Sequence, residues 1–423
     1  MSRVLLLATT TGYQSRAFAD AAARLGVELV FATDRCHLID DPWQDGAIPI
    51  RFHDEDASVA AILEAAALQP IDGLIALGDR PTVIAARVAE HLGLPWHPPA
   101  AASAARHKLL TRERLRDAGL PVPWFLPLPI DHQPSAIGQP WPYPCVLKPV
   151  ALSGSRGVMR ADDSRQLAAA FERLQALMCQ PEVRAERNEA HATALIEGFI
   201  PGSEYAVEGL MHHGALQVLA TFDKPDPLDG PFFEETIYVT PSAADQETQR
   251  AIASGIARAA RALGLHHGPI HAECRVNPDG VYVLEVAARP IGGLCARALR
   301  FQLAPGPEPP APLEQLLLRH ALGEAVTGER ERSASGVMMI PIPRRGIFRR
   351  ADGIDEARAV AGVDDIHITA KPDQVLVPLP EGASYLGFIF ARAERADQVT
   401  EALRAAHARL AFTIDVHYTL VHG

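Results

Sequence analysis

One stretch of the chain predicts its own strand pairing. Two runs of alternating apolar and polar residues flank Asn-Pro-Asp-Gly at Asn277–Gly280. Proline suits the second position of a type I turn, and glycine can adopt the left-handed conformation that follows it, so the stretch predicts a β-hairpin with a three-residue loop. That loop pairs Asn277 with Val281, and the same register places Glu273 directly opposite Glu285.

Two carboxylates that face each other across a hairpin repel, which weakens the strand pairing. The arrangement is favourable with a hard cation between them, since Mg²⁺ binds one or two protein carboxylates together with substrate phosphate oxygens. Strand alternation places His271 and Arg275 on the face of Glu273, and Arg289 on that of Glu285 if the strand extends so far. For this stretch alone two interpretations stay open: a magnesium site, or a hairpin with charges on its solvent-exposed face.

Length and composition exclude several classes of protein. A chain of 423 residues predicts two or three domains. Its net charge of −11 argues against a nucleic-acid-binding protein and fits poorly with an anionic membrane surface. The five cysteines are scattered without a CxxC pair, which predicts a reducing cytosol and neither a disulfide framework nor a zinc site. No run approaches the roughly 18 apolar residues that span a membrane, so we expect a soluble, cytoplasmic, multidomain protein.

The first hundred residues alternate between strand and helix patterns. Apolar strands are predicted at residues 4–8, 27–33 and 72–77, with helices at 15–25, 59–67 and 81–92. This alternation predicts a parallel, Rossmann-like sheet, whose functional residues follow the strand ends. Thr9–Gly12, Asp34 and Asp79 occupy such positions, either as substrate contacts or as helix caps. No G-x-G-x-x-G follows the first strand, which argues against a dinucleotide site.

A cationic helix is predicted at residues 102–118, after a proline-rich break. It carries Lys108, Arg112 and further basic side chains within a short span. Such a helix is either a solvated face or, in an acidic protein, a contact for phosphate groups.

A strand that ends at Lys148 leads into a loop rich in serine and glycine, Ala151–Gly157, and then into a return strand. Small residues let backbone N–H groups approach phosphate oxygens, and lysine adds a point charge that suits phosphate. The stretch lacks the G-x-x-x-x-G-K-[ST] pattern of a Walker A loop. Considered alone, the loop favours a plain hairpin with a glycine turn over a phosphate site.

Two strands joined at Pro201–Ser203 carry Glu197 and Glu204 on either side of the connection. A strand edge before a tight turn offers backbone groups to adenine, and an acidic residue suits ribose hydroxyls. Residues 222–241 are rich in proline and aromatic side chains, which predicts an ordered loop over a site.

The end of the chain predicts a stiff spacer and a last α/β unit. Gly292 and Gly293 are predicted to open a helix that reaches about Leu303, with N-terminal amides suited to a carboxylate. Residues 304–312 form a proline-rich spacer, and residues 333–423 predict further strands and a helix. Arg344 is either a substrate-carboxylate contact or part of an exposed basic turn.

Lys108, the Lys148 strand, the Ser/Gly loop, Glu197 and the Glu273/Glu285 pair follow the order seen in the ATP-grasp superfamily, which residues 1–325 resemble. Together with G-V-M-M-I-P-I-P-R and Y-L-G-F-I-F-A-R, the H-A-E…L-E-V-A-A-R-P-I-G-G signature resembles the L-amino-acid ligases, or dipeptide synthetases. The resemblance implies a mixed α/β and α+β multidomain fold: a Rossmann-like pre-ATP-grasp domain at 1–100, a two-subdomain ATP-grasp domain at 101–325 with its lid at about 144–200, and a small C-terminal α/β unit at 326–423 that completes the substrate site.

The resemblance also implies a role for each matching residue. Lys108 and Lys148 contact ATP phosphates, and the loop of Ser153, Gly154, Ser155 and Gly157 covers them as a flap. Glu197 and the backbone of Phe199 and Ile200 hold adenine, and Glu204 holds the ribose. Glu273 and Glu285 bind Mg²⁺, with Mn²⁺ as an alternative, and Arg289 stabilises the transferring phosphoryl group. From the residues themselves rather than from the resemblance, His271 and His266 are candidate bases, and Gly292, Gly293 and Arg344 are candidate substrate contacts.

One departure from the superfamily concerns metal binding. Many ATP-grasp enzymes have asparagine two residues after the second metal glutamate, whereas this chain has Ala287. The implied activity is an ATP-dependent ligase that joins a carboxylate to an amine, both small molecules and most simply amino acids, through an acyl-phosphate. The alternatives are a ligase or carboxylase for another biosynthetic acid, and a nucleotide-binding protein without catalysis. Ligases of this kind are often homodimers, although the sequence shows no interface.

Overall fold

The computed structural model describes residues 1–9, 14–34, 47–132, 141–303, 309–326 and 328–416. The N-terminal part is the predicted parallel sheet, with strand order β3-β2-β1-β4. Buried apolar strands between helices on both sides form its core. Its elements are β1 (Arg3–Ala8), α1 (Ser15–Leu25), β2 (Glu28–Thr33), β3 (Ile48–Pro49), α2 (Glu55–Leu68), β4 (Gly73–Leu77) and α3 (Thr82–Leu92). The predicted positions Thr10–Gly12 lie outside the described residues.

The helix predicted at residues 102–118 is instead two helices, α4 (Pro99–Ala105) and α5 (Lys108–Asp117). The break occurs because His107 is extended and caps α5, with its ring nitrogen accepting a hydrogen bond from the Leu110 N–H at 3.3 Å. The Lys108 N–H, free at the start of the helix, donates to the Val150 carbonyl at 2.9 Å. The cap therefore fixes α5 against the strand that carries Lys148.

A small sheet with strand order β5-β8-β6-β7 forms the lid, and it has its own apolar core. The predicted return strand is present and pairs with the Lys148 strand. The lid consists of β5 (Phe125–Pro129), β6 (Cys145–Pro149), β7 (Met159–Ala161), α6 (Ser164–Met178), α7 (Pro181–Arg184) and β8 (Thr193–Gly198). The connection at Pro201–Ser203 leads out of this sheet into the next one.

A long antiparallel sheet with strand order β13-β12-β9-β10-β11-β17-β21-β19 forms the centre of the molecule. It starts with β9 (Ser203–His212), β10 (Ala215–Asp223), β11 (Ile237–Thr240), α8 (Gln246–Leu263), β12 (Gly268–Asn277) and β13 (Gly280–Ala287). The C-terminal strands β17 (Ala334–Ile340), β19 (Val363–Ile368) and β21 (Gly387–Ala393) extend the same sheet. The C-terminal residues thus continue the sheet that carries Glu273 and Glu285.

The hairpin of β12 and β13 has a different turn from the predicted one. Asn277 pairs with Gly280 rather than Val281, so the loop contains two residues instead of three. A β-bulge at Leu284 then shifts the register by one residue, and Glu273 pairs with Glu285 as predicted. The predicted carboxylate pair is confirmed, although the turn proposed to create it is wrong.

Residues 292–303, which the structure describes, do not form the predicted helix. A short 3₁₀ turn at Cys295–Ala298 leads directly into β14 (Arg300–Gln302). Residues 294–299 are buried except for Arg297, so the segment has no continuous polar face for an exposed helix. The segment ends in β14, which pairs with β15 (Ala311–Pro312) and β16 (Glu329–Arg330).

The remaining elements connect and cover the central sheet. α9 (Leu313–Ala321) packs between the N-terminal sheet and the central sheet, and its apolar side chains are buried. The other elements are β18 (Gly346–Asp352), α10 (Ile354–Arg358), β20 (Val375–Leu376), α11 (Ala396–His407) and β22 (Ala411–Asp415). None of the helices within the described ranges is both long and apolar enough to cross a membrane.

Candidate active site

The floor of the candidate site is one face of three adjacent strands, β9, β12 and β13. Cross-strand pairing sets Glu208 opposite His271, and Glu204 opposite Arg275. Between these two pairs, Glu273 lies opposite Glu285. Alternation along β12 places His271, Glu273 and Arg275 on this face, as predicted, and all three acidic side chains of β9 and β12 have a cationic neighbour.

An ammonium group that the sequence analysis missed lies beside Glu273. The Lys224 Nζ donates to Glu204 at 2.8 Å, to Glu235 at 2.7 Å and to Glu273 at 3.0 Å. Burial lowers the pKa of a lysine, but these three carboxylates raise that of Lys224 well above its ordinary value. Burial and the neighbouring Glu273 raise the pKa of Glu235 to about 7. Lys224 thus neutralises the acidic side of the floor.

Glu273 and Glu285 both keep part of their surface exposed to the cleft. The exposed fractions of their side chains are 23% and 27%. Lys108 Nζ lies 3.7 Å from Glu285. Two opposed carboxylates with exposed oxygens form the hard donor set that Mg²⁺ requires, so these residues fit a magnesium ion. Ala287 offers no third side-chain ligand.

His271 lies between two carboxylates of the floor. Its Nδ1 lies 3.1 Å from the buried Glu208 carboxylate, and its Nε2 lies 3.8 Å from Glu273. Burial acts to lower the pKa of His271, but the hydrogen bonds with the two carboxylates raise it to about 9. His271 therefore pairs with Glu208 and Glu273 on the floor, and its role as base stays a prediction.

Lys148, Glu197 and Arg112 form a buried ion-pair cluster between the lid and the central sheet. Arg112 donates to both Glu197 oxygens, at 2.7 and 3.1 Å, and Lys148 forms a salt bridge with the same carboxylate. Burial opposes ionisation of Glu197, yet the two cations lower its pKa to about 2. Burial lowers the pKa of Lys148 to about 8. Arg112, predicted as part of a phosphate-binding helix face, is 1% exposed and therefore structural.

The predicted nucleotide residues beyond Glu197 are partly engaged by protein partners. The Phe199 N–H donates to the Pro144 carbonyl at 3.1 Å. Arg275 donates to the Ile200 carbonyl at 2.7 Å and to Glu204 at 2.8 Å. Since Glu204 also accepts from Lys224, each of its oxygens has a cationic partner. In this arrangement the Glu204 carboxylate binds two cations of the floor, and its predicted contact with the ribose stays a prediction.

The Ser/Gly loop is a tight turn held at both ends. Gly154, Ser155 and Gly157 have positive φ angles of 64°, 56° and 76°. Lys108 Nζ donates to the Leu152 carbonyl at 2.7 Å, and the Gly157 N–H donates to the Pro380 carbonyl at 2.8 Å. Left-handed residues turn successive amides to one side, which suits an anion-binding loop.

The N-terminal sheet reaches the site through Asp79. Its carboxylate accepts two hydrogen bonds from Arg289, at 2.8 and 3.1 Å. Burial acts to raise the pKa of Asp79, but Arg289 lowers it below its usual value. Asp79 also hydrogen-bonds Ser153 of the loop. Arg289 is thus fixed by a residue that the sequence analysis named only as a possible substrate contact or helix cap.

The three candidate substrate residues lie in different surroundings. Gly292 is exposed beside Arg289, whose Nη1 lies 4.0 Å from the position of an added Cβ. Gly293 has a φ of 60° and lies against the Phe388 ring. Arg344 donates to the Ile414 carbonyl at 2.6 Å, within the C-terminal strands. Without the predicted helix, Gly292 and Gly293 lack the N-terminal amides that were expected to bind a carboxylate.

The residues that sequence reasoning missed are partners of the floor: the buried Lys224 and Glu208, the half-buried Glu235, and Tyr238, whose hydroxyl donates to Glu235 and Glu273. Only Glu208 has a local signal, because Glu204 and Glu208 share one face of a strand at the spacing of the His271–Arg275 pattern. Lys224 and Glu235 lie within the loop between β10 and β11, where no periodicity predicts which way a side chain points.

Comparison with known proteins agrees with this geometry. Three family models match the chain: the ATP-grasp N-terminal domain at residues 19–96, the ATP-grasp domain at 141–298 and the L-amino acid ligase C-terminal domain 2 at 338–415. The crystal structure of L-amino acid ligase from Bacillus licheniformis superposes with a TM-score of 0.81 at 26% identity, covering 98% of this chain and 99% of that one. The chain belongs to the ATP-grasp carboxylate–amine ligases. The predicted family and fold class are confirmed.

Two curated relatives of this ATP-grasp ligase are named as a synthase and a ligase. Carnosine synthase 1 of Gallus gallus is 28% identical over 71% of the chain and 34% of the synthase. The alanine–anticapsin ligase of Bacillus subtilis is 27% identical over 56% of the chain and 52% of the relative. The chain thus spans about a third and about half of the lengths of these two relatives.

Proposed function

We propose that the chain activates the carboxylate of one amino acid with ATP and joins it to the amino group of a second, forming a dipeptide. The observation that supports this most is the continuity of the central sheet. The strands that match the L-amino acid ligase C-terminal domain extend the sheet that carries Glu273 and Glu285. We retain the division at residues 1–100, 101–325 and 326–423 as part of the proposal, with the last unit contributing to the substrate site.

Glu273 and Glu285 are proposed to hold Mg²⁺, because they are opposed and partly exposed. When bound, the ion neutralises phosphate charge during phosphoryl transfer. Lys224 and His271 keep the neighbouring carboxylates paired, which leaves the two metal glutamates in a floor of balanced charge. With Ala287 in place of a third ligand, the remaining coordination falls to water and to phosphate oxygens.

Lys108, Lys148 and the loop Ser153–Gly157 are proposed to bind the ATP phosphates. Both lysines lie at one end of the cleft, and Lys108 already joins the loop to Glu285 through its contacts with the Leu152 carbonyl and the carboxylate. Within the described chain, the Phe199 carbonyl and the Ile200 N–H have no protein partner, and we assign these groups to adenine. Glu197 acts by fixing Lys148 rather than by touching the base.

Arg289 is proposed to stabilise the group in transfer. A carboxylate oxygen of the first amino acid attacks the γ-phosphorus of ATP, and the bond to the β–γ bridging oxygen breaks to release ADP. The amine of the second amino acid then attacks the acyl carbon, phosphate leaves, and the nitrogen loses a proton. Asp79 holds the guanidinium by two hydrogen bonds, so Arg289 is oriented before the substrate arrives.

The test is release of phosphate and ADP from Mg²⁺-ATP across a grid of paired amino acids, with mass spectrometry of the products. We expect ADP, phosphate and one dipeptide in equal amounts, and loss of all three in Glu285→Gln. Glu90→Gln, which changes an exposed carboxylate on α3, is the matched control and should keep full activity. No product over the whole grid, in an enzyme that still binds ATP with Mg²⁺, would refute the dipeptide assignment.

A further inference from the structure

A cluster of histidines lies at the end of the central sheet away from the candidate active site. His212 ends β9, His267 directly precedes β12, and His320 lies in the last turn of α9. His267 is six residues from Glu273, which corresponds to about 20 Å along an extended strand. The two sites are therefore separate.

The donor atoms of His212, His267 and His320 lie close together, and the His267 and His320 rings are stacked at 16° to each other. Their ligand nitrogens all lie within 4.8 Å of one another. The Nδ1 of His212 and the Nε2 of His320 are 3.3 Å apart. Two ligands of one tetrahedral zinc ion, with Zn–N bonds of 2.0–2.1 Å, are about 3.3 Å apart. One pair already has this separation, and the others need to close by about 1.5 Å at most.

His267 gives an independent indication of a ligand. Its ring is 1% exposed, and neither of its nitrogens has a hydrogen-bond partner of normal geometry within the described part of the chain. A buried polar group without a partner is unfavourable, and nearly all such groups in native proteins are satisfied. The neighbouring His97 shows the usual solution, since its two nitrogens contact the Pro269 carbonyl and the His266 N–H.

The surroundings suit a borderline-soft divalent cation. The three side chains offer imidazole nitrogens, which favour zinc and similar transition metals over magnesium or calcium. His320 and His267 are buried, whereas His212 is half-buried and gives an ion a path from solvent. We propose that His212, His267 and His320 bind one Zn²⁺ ion, with a water molecule in the fourth position.

The proposed zinc site would connect β9, the start of β12 and α9. Strand β9 and the start of β12 belong to the central sheet, and α9 packs against α1 and β4 of the N-terminal sheet. An ion bound by all three elements holds α9 to the central sheet, and binding energy realised only in the folded state adds to stability. Its role is therefore to strengthen the junction between the two sheets. The cysteine pattern could not predict this site, because its ligands are histidines far apart in sequence.

The experiment uses the full-length protein without a polyhistidine tag. After treatment with a chelator, the protein is dialysed against micromolar Zn²⁺, and bound zinc is counted by mass spectrometry of the metal. We expect one zinc per chain and a melting temperature several degrees above that of the metal-free protein. His212→Ala and His320→Ala should lose both the zinc and the rise. His91→Ala, which removes an exposed histidine on α3, should keep both.

Two further measurements keep the test decisive. Glu285→Gln should retain the zinc, because its carboxylate belongs to the other site. Co²⁺ bound to the unaltered protein should give the visible bands of a tetrahedral site, so the result does not depend on a variant that folds. Less than one tenth of an equivalent of zinc, or equal zinc in the unaltered protein and in folded His212→Ala, would overturn the proposal.

Discussion

Arg112 connects the lid to the hairpin of β12 and β13, and Arg112→Met is expected to lower the stability of the folded protein. Its Nε and Nη2 donate to the two oxygens of Glu197, and its Nη1 donates to the Val283 and Leu284 carbonyls at 3.1 Å each. Leu284 is the bulged residue that brings Glu285 opposite Glu273. Methionine keeps much of the side-chain volume but none of the four hydrogen bonds.

The magnitude follows from the burial of the pair. Removing one member of a buried ion pair costs about 3–5 kcal/mol, because the other charge stays buried without its partner. Lys148 remains beside Glu197, which places the loss at the lower end, about 3 kcal/mol. For a folding unit of roughly 150–250 residues, this corresponds to a fall of about 6–12 °C in melting temperature.

Differential scanning calorimetry measures this change directly. The matched control is Arg116→Met on the same helix, where the side chain is 56% exposed, forms an ion pair with Asp117 and lies over the Phe125 ring. Its effect should stay within about 0.5 kcal/mol. Because Arg112 and Glu197 contact each other, Arg112→Met combined with Glu197→Gln should destabilise less than the sum of the two changes. A shift of less than about 2 °C for Arg112→Met would refute the proposed role of the cluster.

Three further changes have expected results of their own. Because burial lowers the pKa of Lys148 to about 8, its ammonium loses its proton as the pH rises through that value. Calorimetric titration should then show the affinity for ATP falling by up to about tenfold per pH unit above it. Lys148→Arg should make the affinity nearly independent of pH in this range, and an unchanged pH dependence in that variant would contradict the assignment. Lys224→Met leaves the acidic cluster without its ammonium and should cost about 3–5 kcal/mol by calorimetry, whereas a neutral effect would show that the cluster is satisfied otherwise. Gly353→Ala should be poorly folded by circular dichroism, since its φ is +81° and an added Cβ would lie 2.0 Å from the Arg409 carbonyl oxygen. The control Gly26→Ala, with a φ of +65° and open space around it, should lower the free energy of unfolding by only about 1–2 kcal/mol.

The outcome at the hairpin shows why part of the site could be predicted. Glu273 and Glu285 lie on strands with clear alternation, so their shared face follows from the sequence. The turn was predicted from the preferences of proline and glycine, which allow loops of two or three residues. Only the bulge at Leu284 reconciles a two-residue loop with opposed glutamates, and its carbonyl is held by an arginine 172 residues away in the chain.

Errors at other positions have a similar origin. Residues 294–299 contain enough alanine and leucine to suggest a helix, but strand pairing of the next residues with 311–312 and 329–330 ends the turn early. The basic residues of the helix at Lys108–Asp117 look alike in sequence, yet Arg112 is buried and Arg116 is exposed. Helix periodicity predicts which residues share a face, but which face is buried depends on the elements that pack against it.

The sequence by itself determined the parallel N-terminal sheet, the lid hairpin and the strand alternation that puts Glu273 and Glu285 on one face, because short-range backbone preferences set these features. The order of the candidate ATP-binding residues came from the resemblance to the ATP-grasp superfamily. Tertiary structure decided which charges pair. Lys224 reaches three carboxylates, Arg289 is held by Asp79, and three histidines meet at the end of the central sheet. Such contacts join residues tens to hundreds of positions apart, and burial makes each one depend on packing that no local pattern encodes.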